Sequence, residues 1–351
     1  MKALLLLLTG MGVAIAVRSQ LFAQEDSTLY LAGGSTVYIA GDVETYGAIG
    51  GKGTVFLNGT TSQSIRGLTV ANLTLDNDVG ASLDGDLNVL QELRLLRGNL
   101  SLNDHLLELS ETATVHNGEQ NGIETNKSGM VRKKINTDQQ SFTVPLISSG
   151  NYTPLLLTTR GKYHQALVTI GSYARTSPNK PLAANDYLNN FWIVGRSGID
   201  GSVKALVSYS GETKITGNLH ALQGYYWDNR KWNVPDNSFS PAQRTICADI
   251  TGSGGEITAM SGSIDPFYVR PLTLTPNPAR IFTALNISSA QKGTALVSIS
   301  DAQGKLVRTQ TIWLTKGFNQ YNVNVQGLTN GYYDVTVYHS GKKTSLKLIK
   351  N

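Results

Sequence analysis

The sequence predicts an all-β protein in three parts: a short N-terminal β-solenoid or β-helix-like region, a central β-sandwich, and a C-terminal immunoglobulin-like β-sandwich. Three observations lead there. The 351 residues include 36 Gly and 15 Tyr but only 16% charged residues, a balance that favours strands and tight turns. Beyond the N-terminal segment no apolar stripe of helical period is sustained, while short alternating apolar and polar runs recur along the whole chain. The single cysteine, Cys247, cannot close a disulfide within the chain, so stability has to come from packed sheet.

At the N-terminus, Lys2 precedes an apolar run from Ala3 to Val17, and small and polar residues follow up to Ala23-Gln24. A positive start, an apolar stretch of ~7–15 residues and a small residue before the cut describe a secretory signal peptide. Residues 1–23 are read as that segment, cut between Ala23 and Gln24, and the chain as exported through the Sec route. The run falls short of the ~20 residues that a membrane-spanning helix needs.

Residues 24–114 carry short alternating runs, among them Leu73-Thr74-Leu75, Leu93-Arg94-Leu95, Leu100-Ser101-Leu102 and Leu107-Glu108-Leu109. The last three start seven residues apart, and each supplies two apolar side chains to one face, which is strand period. Gly, Asn or Asp separates most of them. Short strands with regular turns suit a coil whose successive turns stack on a common interior. An ordinary antiparallel sheet of short hairpins is the alternative.

Residues 115–267 have longer strands, including Gly129–Ile135, Leu155–Thr159, Ala166–Ile170, Phe191–Val194, Val203–Tyr209, Gly224–Trp227 and Arg244–Ala248. Pro145, Pro154, Pro178 and Pro181 stand in the connections, and the count suits a two-sheet sandwich. Cys247 lies in an apolar strand, which favours a structural thiol over a nucleophile. Tyr225, Trp227 and Trp232 flank a tight turn. They either pack across a hairpin or present faces to a glycan, with Asp228, Asn229 and Arg230 beside them.

Residues 268–351 form the third part. Asp301-Ala302-Gln303-Gly304 has turn chemistry, with Asp first and Gly last. Gly331 opens a strand where the backbone turns. The charge is uneven: residues 271–351 hold nine Lys/Arg and two Asp, a net of +7, and residues 1–23 a net of +2. The whole chain is +5, so residues 24–270 carry −4. The basic part could meet anionic lipopolysaccharide or an acidic transport partner. Nucleic acid is a poor fit, because no stacked-aromatic sheet motif, zinc finger or recognition helix accompanies the charge.

The order of motifs in residues 274–351 resembles the C-terminal sorting domain of the bacterial type IX (Por) secretion system, type A. The pieces are Pro276-Asn277-Pro278, Asp301 to Gly304-Lys305, Gly317, Gly331-Tyr332, and a basic terminal strand containing Lys347. Thr275 stands where an aromatic often precedes the Pro-Asn-Pro motif. The resemblance implies translocation across the outer membrane after Sec export. It implies as partners the type IX machinery and its C-terminal signal peptidase or sortase. It also implies removal of the domain within Asp265–Leu274, and a surface-attached or extracellular product.

No catalytic or metal constellation is legible. His105, His116, His164, His220 and His339 are scattered, without metal spacing. Asp76, Asp78, Asp84 and Asp86 are read as turn formers, with a calcium loop or acids acting on a polysaccharide as alternatives. No cofactor is expected. The leading expectation is a non-catalytic structural or adhesive cargo. A module binding surface glycans and a β-helix polysaccharide-degrading enzyme are the alternatives.

Overall fold

The computed structural model describes residues 5–8, 14–17, 21–23, 28–46, 48–261 and 272–351, leaving aside 119, 126, 139, 182, 183, 235–237, 251, 290, 291, 316, 340 and 341. Regular structure among them is strand, apart from one 3-10 turn at Leu219–Ala221. The chain divides into two compact units. One is Met1–Ser177, Asp186–Tyr226 and Val234–Met260; the other is Pro178–Asn185, Trp227–Asn233 and Ser261–Asn351.

The first unit begins as a parallel β-solenoid of about six turns. Each turn has three sides. Thr28–Leu31, Thr36–Ile39 and Val43–Thr45 make one turn, and Ala48–Gly51, Thr54–Leu57 and Gln63–Arg66 the next. Leu68–Asp76 and Leu87–Arg97 each bend round a corner and serve two sides. The three runs spaced seven residues apart are therefore three successive sides of the coil. A full turn repeats every 19 or 20 residues on the first side, as Thr28↔Ala48, Leu68↔Leu87 and Leu87↔Leu107 show.

Register explains the alternation. Val37, Val55, Leu73, Leu93 and Val115 stack one above another, the first four buried and Val115 packed against them. Each fully buried Val or Leu in such a column contributes about 1.5–3 kcal/mol. Corners are tight enough to demand glycine. At Gly98, φ is +75° and an added Cβ would lie 2.0 Å from the Asn77 carbonyl oxygen of the preceding turn. Beside that corner, the side chains of Gln63 and Asn77 join three turns. Gln63 Nε2 donates to Ile39 O (3.0 Å), and Asn77 Nδ2 donates to Gln63 Oε1 (3.0 Å) and Thr61 O (2.7 Å).

The N-terminal run continues this coil. Leu5–Leu8, Ala14–Val17 and Leu21–Ala23 lie parallel to the three sides of the Thr28–Thr45 turn. A cut after Ala23 removes these strands and leaves Thr28–Leu31, Thr36–Ile39 and Val43–Thr45 with a bare edge.

The coil runs further than 24–114, and the expected division at Val115 falls within a turn. Met130–Ile135 pairs in parallel with Leu106–Leu109, and Leu146–Ser148 with Ile123–Glu124. The sandwich grows directly from this last turn. Met130–Ile135 and Ser141–Val144 pair antiparallel with the long strand Leu155–Tyr173, which pairs in turn with Phe191–Ser208. Thr245–Ile250 and Gly254–Ser261 pair with Phe191–Ser208. A single core runs from Leu31 to Ala259 through both parts.

A charged residue also takes an inward position. The column Val70, Val89, Leu109 ends on Lys133, which is 1% exposed. Its Nζ donates to three carbonyls of the neighbouring corner: Ser110 O (2.5 Å), Glu111 O (2.9 Å) and Ala113 O (2.9 Å). Burial pulls its pKa down to about 8, and nearby Glu111 opposes that shift.

Candidate functional site: the C-terminal module

The described strands of residues 272–351 form two sheets. Thr273–Thr275, Phe282–Ser289 and Gly317–Asn324 make one; Leu306–Leu314, Gly293–Asp301, Gly331–His339 and Lys342–Lys350 make the other. Alternation sorts the side chains. In Gly293–Asp301, Ala295, Val297 and Ile299 turn inward, while Thr294, Leu296 and Ser298 do not. The inward residues join Leu285, Leu314, Val335 and Leu348 in a core separate from that of the first unit. The seven strands fit the sandwich expected from the sequence.

The Pro-Asn-Pro motif and the terminal strand are physically coupled. Asn277 Nδ2 donates to Lys347 O (2.8 Å), and Asn277 Oδ1 accepts from Ile349 N (2.9 Å). The Asn277 side chain thus acts as a two-sided clip on the last strand. Just beyond, Ala279 N donates to Ile349 O (2.9 Å) and Asn351 N to Ala279 O (3.0 Å), a parallel bridge that extends the clip. Pro276 O accepts from Thr283 Oγ1 (2.8 Å), and the peptide bonds before Pro276 and Pro278 are both cis.

The other motif residues, apart from Gly317, belong to the four-stranded sheet and its Asp301–Lys305 turn. Asp301 Oδ1 accepts from Gln303 N (3.0 Å) and Lys305 N (2.9 Å), and Gly304 takes φ +83°, so Asp301, Gly304 and Lys305 define one closed turn. Asp301 stands opposite Tyr333, and Tyr333 opposite Leu348. The turn, the strand opened by Gly331 and the terminal strand are successive neighbours. Gly331 pairs with Lys350, Gly317 with Ser289, and Lys347 Nζ lies 2.9 Å from Asp334 Oδ1 on the adjoining strand. Tyr332 is 65% exposed and Trp313 57%. On the outward face Leu296 stands opposite Tyr338 and Tyr338 opposite Lys343, whose Nζ sits 5.6 Å from the Tyr338 ring centre. That face is apolar and basic at once.

Replacing Asn277 by Ala removes both clip bonds, each worth about 1 kcal/mol, and leaves two main-chain groups to solvent. The expected result is faster amide exchange at Ile349 and earlier tryptic cleavage after Lys347, with the first unit unaffected. Asn277→Asp keeps the acceptor for Ile349 and should fall between. Unchanged exchange at Ile349 in Asn277→Ala would show that the clip does not hold the strand.

The remaining sequence-derived positions fare differently. Ala23 ends the strand Leu21–Ala23, and Gln24 lies outside the described residues, as do residues 265–271 of the expected linker Asp265–Leu274. Tyr225, Trp227 and Trp232 are 1%, 0% and 0% exposed, and the two indoles pack at 5.3 Å between ring centres. Trp232 Nε1 donates to Asn179 O (3.0 Å). These rings are interior, so they offer no face to a sugar. From Gly224 to Trp227 the strand is buried at every position, so both of its faces are covered.

The aspartates are corner and ion-pair residues. Arg97 Nε meets Asp76 Oδ1 (2.5 Å) and Arg97 Nη1 meets Asp78 Oδ2 (3.1 Å), while Asp84 accepts from Ser64 Oγ (2.8 Å) and Asp86 from Leu106 N (2.9 Å). The Arg97 hydrogen bond holds the Asp76 carboxyl below the usual range. Among the described residues no three His, Cys, Asp or Glu gather as a metal site. Cys247 is half-buried, and burial raises its thiol, the reverse of an activated nucleophile.

Comparison with known proteins bears on this module. Residues 273–351 match the family model of the secretion system C-terminal sorting domain. Curated proteins gave no match. Among solved structures, the dimeric latent PorU from Porphyromonas gingivalis is similar at 13% identity, over 56% of this chain and 18% of that one, with a TM-score of 0.21. At that score the likeness carries no argument. The C-terminal module is a type IX sorting domain, and the chain is a secreted cargo that engages the type IX machinery and reaches the cell surface or the medium.

Proposed function

We propose that residues 24–261 are a non-catalytic structural or adhesive cargo, delivered through Sec with a mature N-terminus at Gln24. The sorting domain is then removed by the C-terminal signal peptidase or sortase of the system. The observation that carries the reading is the sorting-domain match at residues 273–351 on a chain whose solenoid and sandwich share one core. A single core through both parts makes a stiff scaffold, suited to holding a surface away from the cell. The exposed lysines Lys343 and Lys347 support contact of the sorting domain with anionic lipopolysaccharide during transit.

The test is adhesion. Cells lacking the protein should attach less to surfaces or to one another than parental cells, and restoring the chain should restore attachment. The purified full chain should release no reducing ends or unsaturated products from a polysaccharide panel. Normal attachment without the protein, or product release by it, would overturn the reading.

A further inference from the structure

The turn made of Thr28–Leu31, Thr36–Ile39 and Val43–Thr45 stands apart in the solenoid. Each of its strands pairs on one edge with the next turn. The other edge pairs only with Leu5–Leu8, Ala14–Val17 and Leu21–Ala23. Among the described residues no further strand adjoins it. A cut after Ala23 therefore frees three strand edges at once. The bond from Leu21 N to Asp42 O (2.8 Å) is one of those lost. Leu31, Val37, Ile39 and Val43, all buried here, are left at an open end. Bare edges invite pairing, and stacked repeats need a polar cap at their ends to stay soluble. This turn supplies none: Val37 and Ile39 simply continue the apolar columns of Val55 and Leu57.

Three observations bear on what would cover that end. The far end of the coil is closed, because Met130–Ile135 is paired beyond the coil with Leu155–Tyr173, and Leu146–Ser148 with Asn151–Tyr152. Stacking head to tail thus has no second open end to use. Tyrosine marks the same turn. Tyr30 lies on the first side, Tyr38 on the second and Tyr46 directly after the third, and the next tyrosine in the chain is Tyr152. Tyr30 is 41% exposed and Tyr46 56%. Tyrosine is enriched where proteins meet, since it buries a large ring and keeps a polar tip. Finally, the acids of the third side are turned to the next turn. Asp42 Oδ1 accepts from Ser64 N (2.8 Å), and Glu44 Oε1 from Arg66 Nη1 (3.2 Å).

We propose that the chain beginning at Gln24 forms a dimer in which the open turns of two copies meet head to head. Only another three-sided turn meets all three edges at once, and the open turn of a second copy is such a partner. Two identical ends meet about a two-fold axis. One side then pairs with the same side of the other copy, and the remaining two sides pair with each other, all antiparallel. With one open end per copy, the assembly closes at two. The inference rests on the proposed cut before Gln24 and goes beyond it by naming what fills the edge the cut creates.

Sedimentation velocity of the full chain from Gln24 to Asn351, over a concentration series, tests it. A species of twice the monomer mass should grow in with concentration, and nothing larger should follow. Lysine on a strand edge discourages pairing, so Tyr30→Lys combined with Tyr46→Lys should weaken association about tenfold or more. Leu90→Lys, exposed in the middle of the coil, should leave it unchanged. Thermal denaturation checks that the variants fold. If the double variant does not fold, hydrogen exchange of the parent decides: the amides of residues 28–45 should be better protected at high concentration than at low. A monomer at every concentration, assembly beyond two, equal association of parent and folded double variant, or exchange independent of concentration overturns the proposal. A monomeric chain whose exported form does begin at Gln24 fails the dimer alone. An exported protein that keeps residues 1–23, beside a purified chain from Gln24 that dimerises, fails the cut alone.

Discussion

A chain lacking residues 273–351 is expected to stop in the periplasm. Those residues match the sorting-domain family and have their own hydrophobic core, so their removal leaves the core of the first unit intact. The truncated cargo should therefore fold and fail only in transport. Its extracellular and surface-exposed fractions, read by fractionation and by external protease, should fall to background while the periplasmic pool rises. The converse should hold too: residues 272–351 fused to a periplasmic reporter should carry it outside. Truncated cargo reaching the surface at parental levels would show that another part of the chain directs export. Asn277→Ala is the finer version, because it loosens the terminal strand without deleting it.

Lys133→Met should be the most damaging single substitution in the first unit. Methionine fills nearly the same space but leaves the carbonyls of Ser110, Glu111 and Ala113 without their donor. Buried unpaired groups cost about 1–3 kcal/mol each, part of which entering water recovers, so a net loss of about 2–4 kcal/mol is expected at neutral pH. The pH dependence separates this from simple repacking. The pKa of Lys133 in the fold is about 8, below its ordinary value of 10.5. Between those two values the unfolded chain binds the extra proton, so the contribution of this residue to stability rises with pH across that window. The gap between parent and Lys133→Met should therefore widen from pH 8 to 10.5 in denaturant melts. A gap that stays flat or narrows would mean that the ammonium is not desolvated as its burial implies.

Much of this structure was written locally. The sorting domain declared itself through turn chemistry and strand alternation, and Asp301, Gly304 and Lys305 do in the fold what the spacing required. The seven-residue spacing of Leu93, Leu100 and Leu107 marked short strands and tight corners correctly. Their assembly into three-sided turns was less legible, because the stacking partners lie about twenty residues apart and no local feature marks them. The end of the coil was missed for the same reason. Met130–Ile135 is parallel to one neighbour and antiparallel to the other, and its own sequence is equally good for both.

One miss had a signal that could have found it. Lys133 lies between Val131 and Ile135 at strand period, so alternation alone points it inward. The aromatic strand is different. Tyr225, Tyr226 and Trp227 are all buried although neighbours in a strand face opposite ways, and only cover on both faces allows that. That cover comes from elsewhere in the chain, so no local pattern announces it.

The central claim is that residues 273–351 route this protein through the type IX system. Mass spectrometry of the protein from medium, outer membrane and periplasm, in cells with and without a working type IX apparatus, tests it most directly. With the apparatus, the chain should be found outside, beginning at Gln24 and lacking the sorting domain. Without it, the chain should be found in the periplasm with the domain intact. Protein outside cells that lack the apparatus, in the same form and amount, would contradict the account.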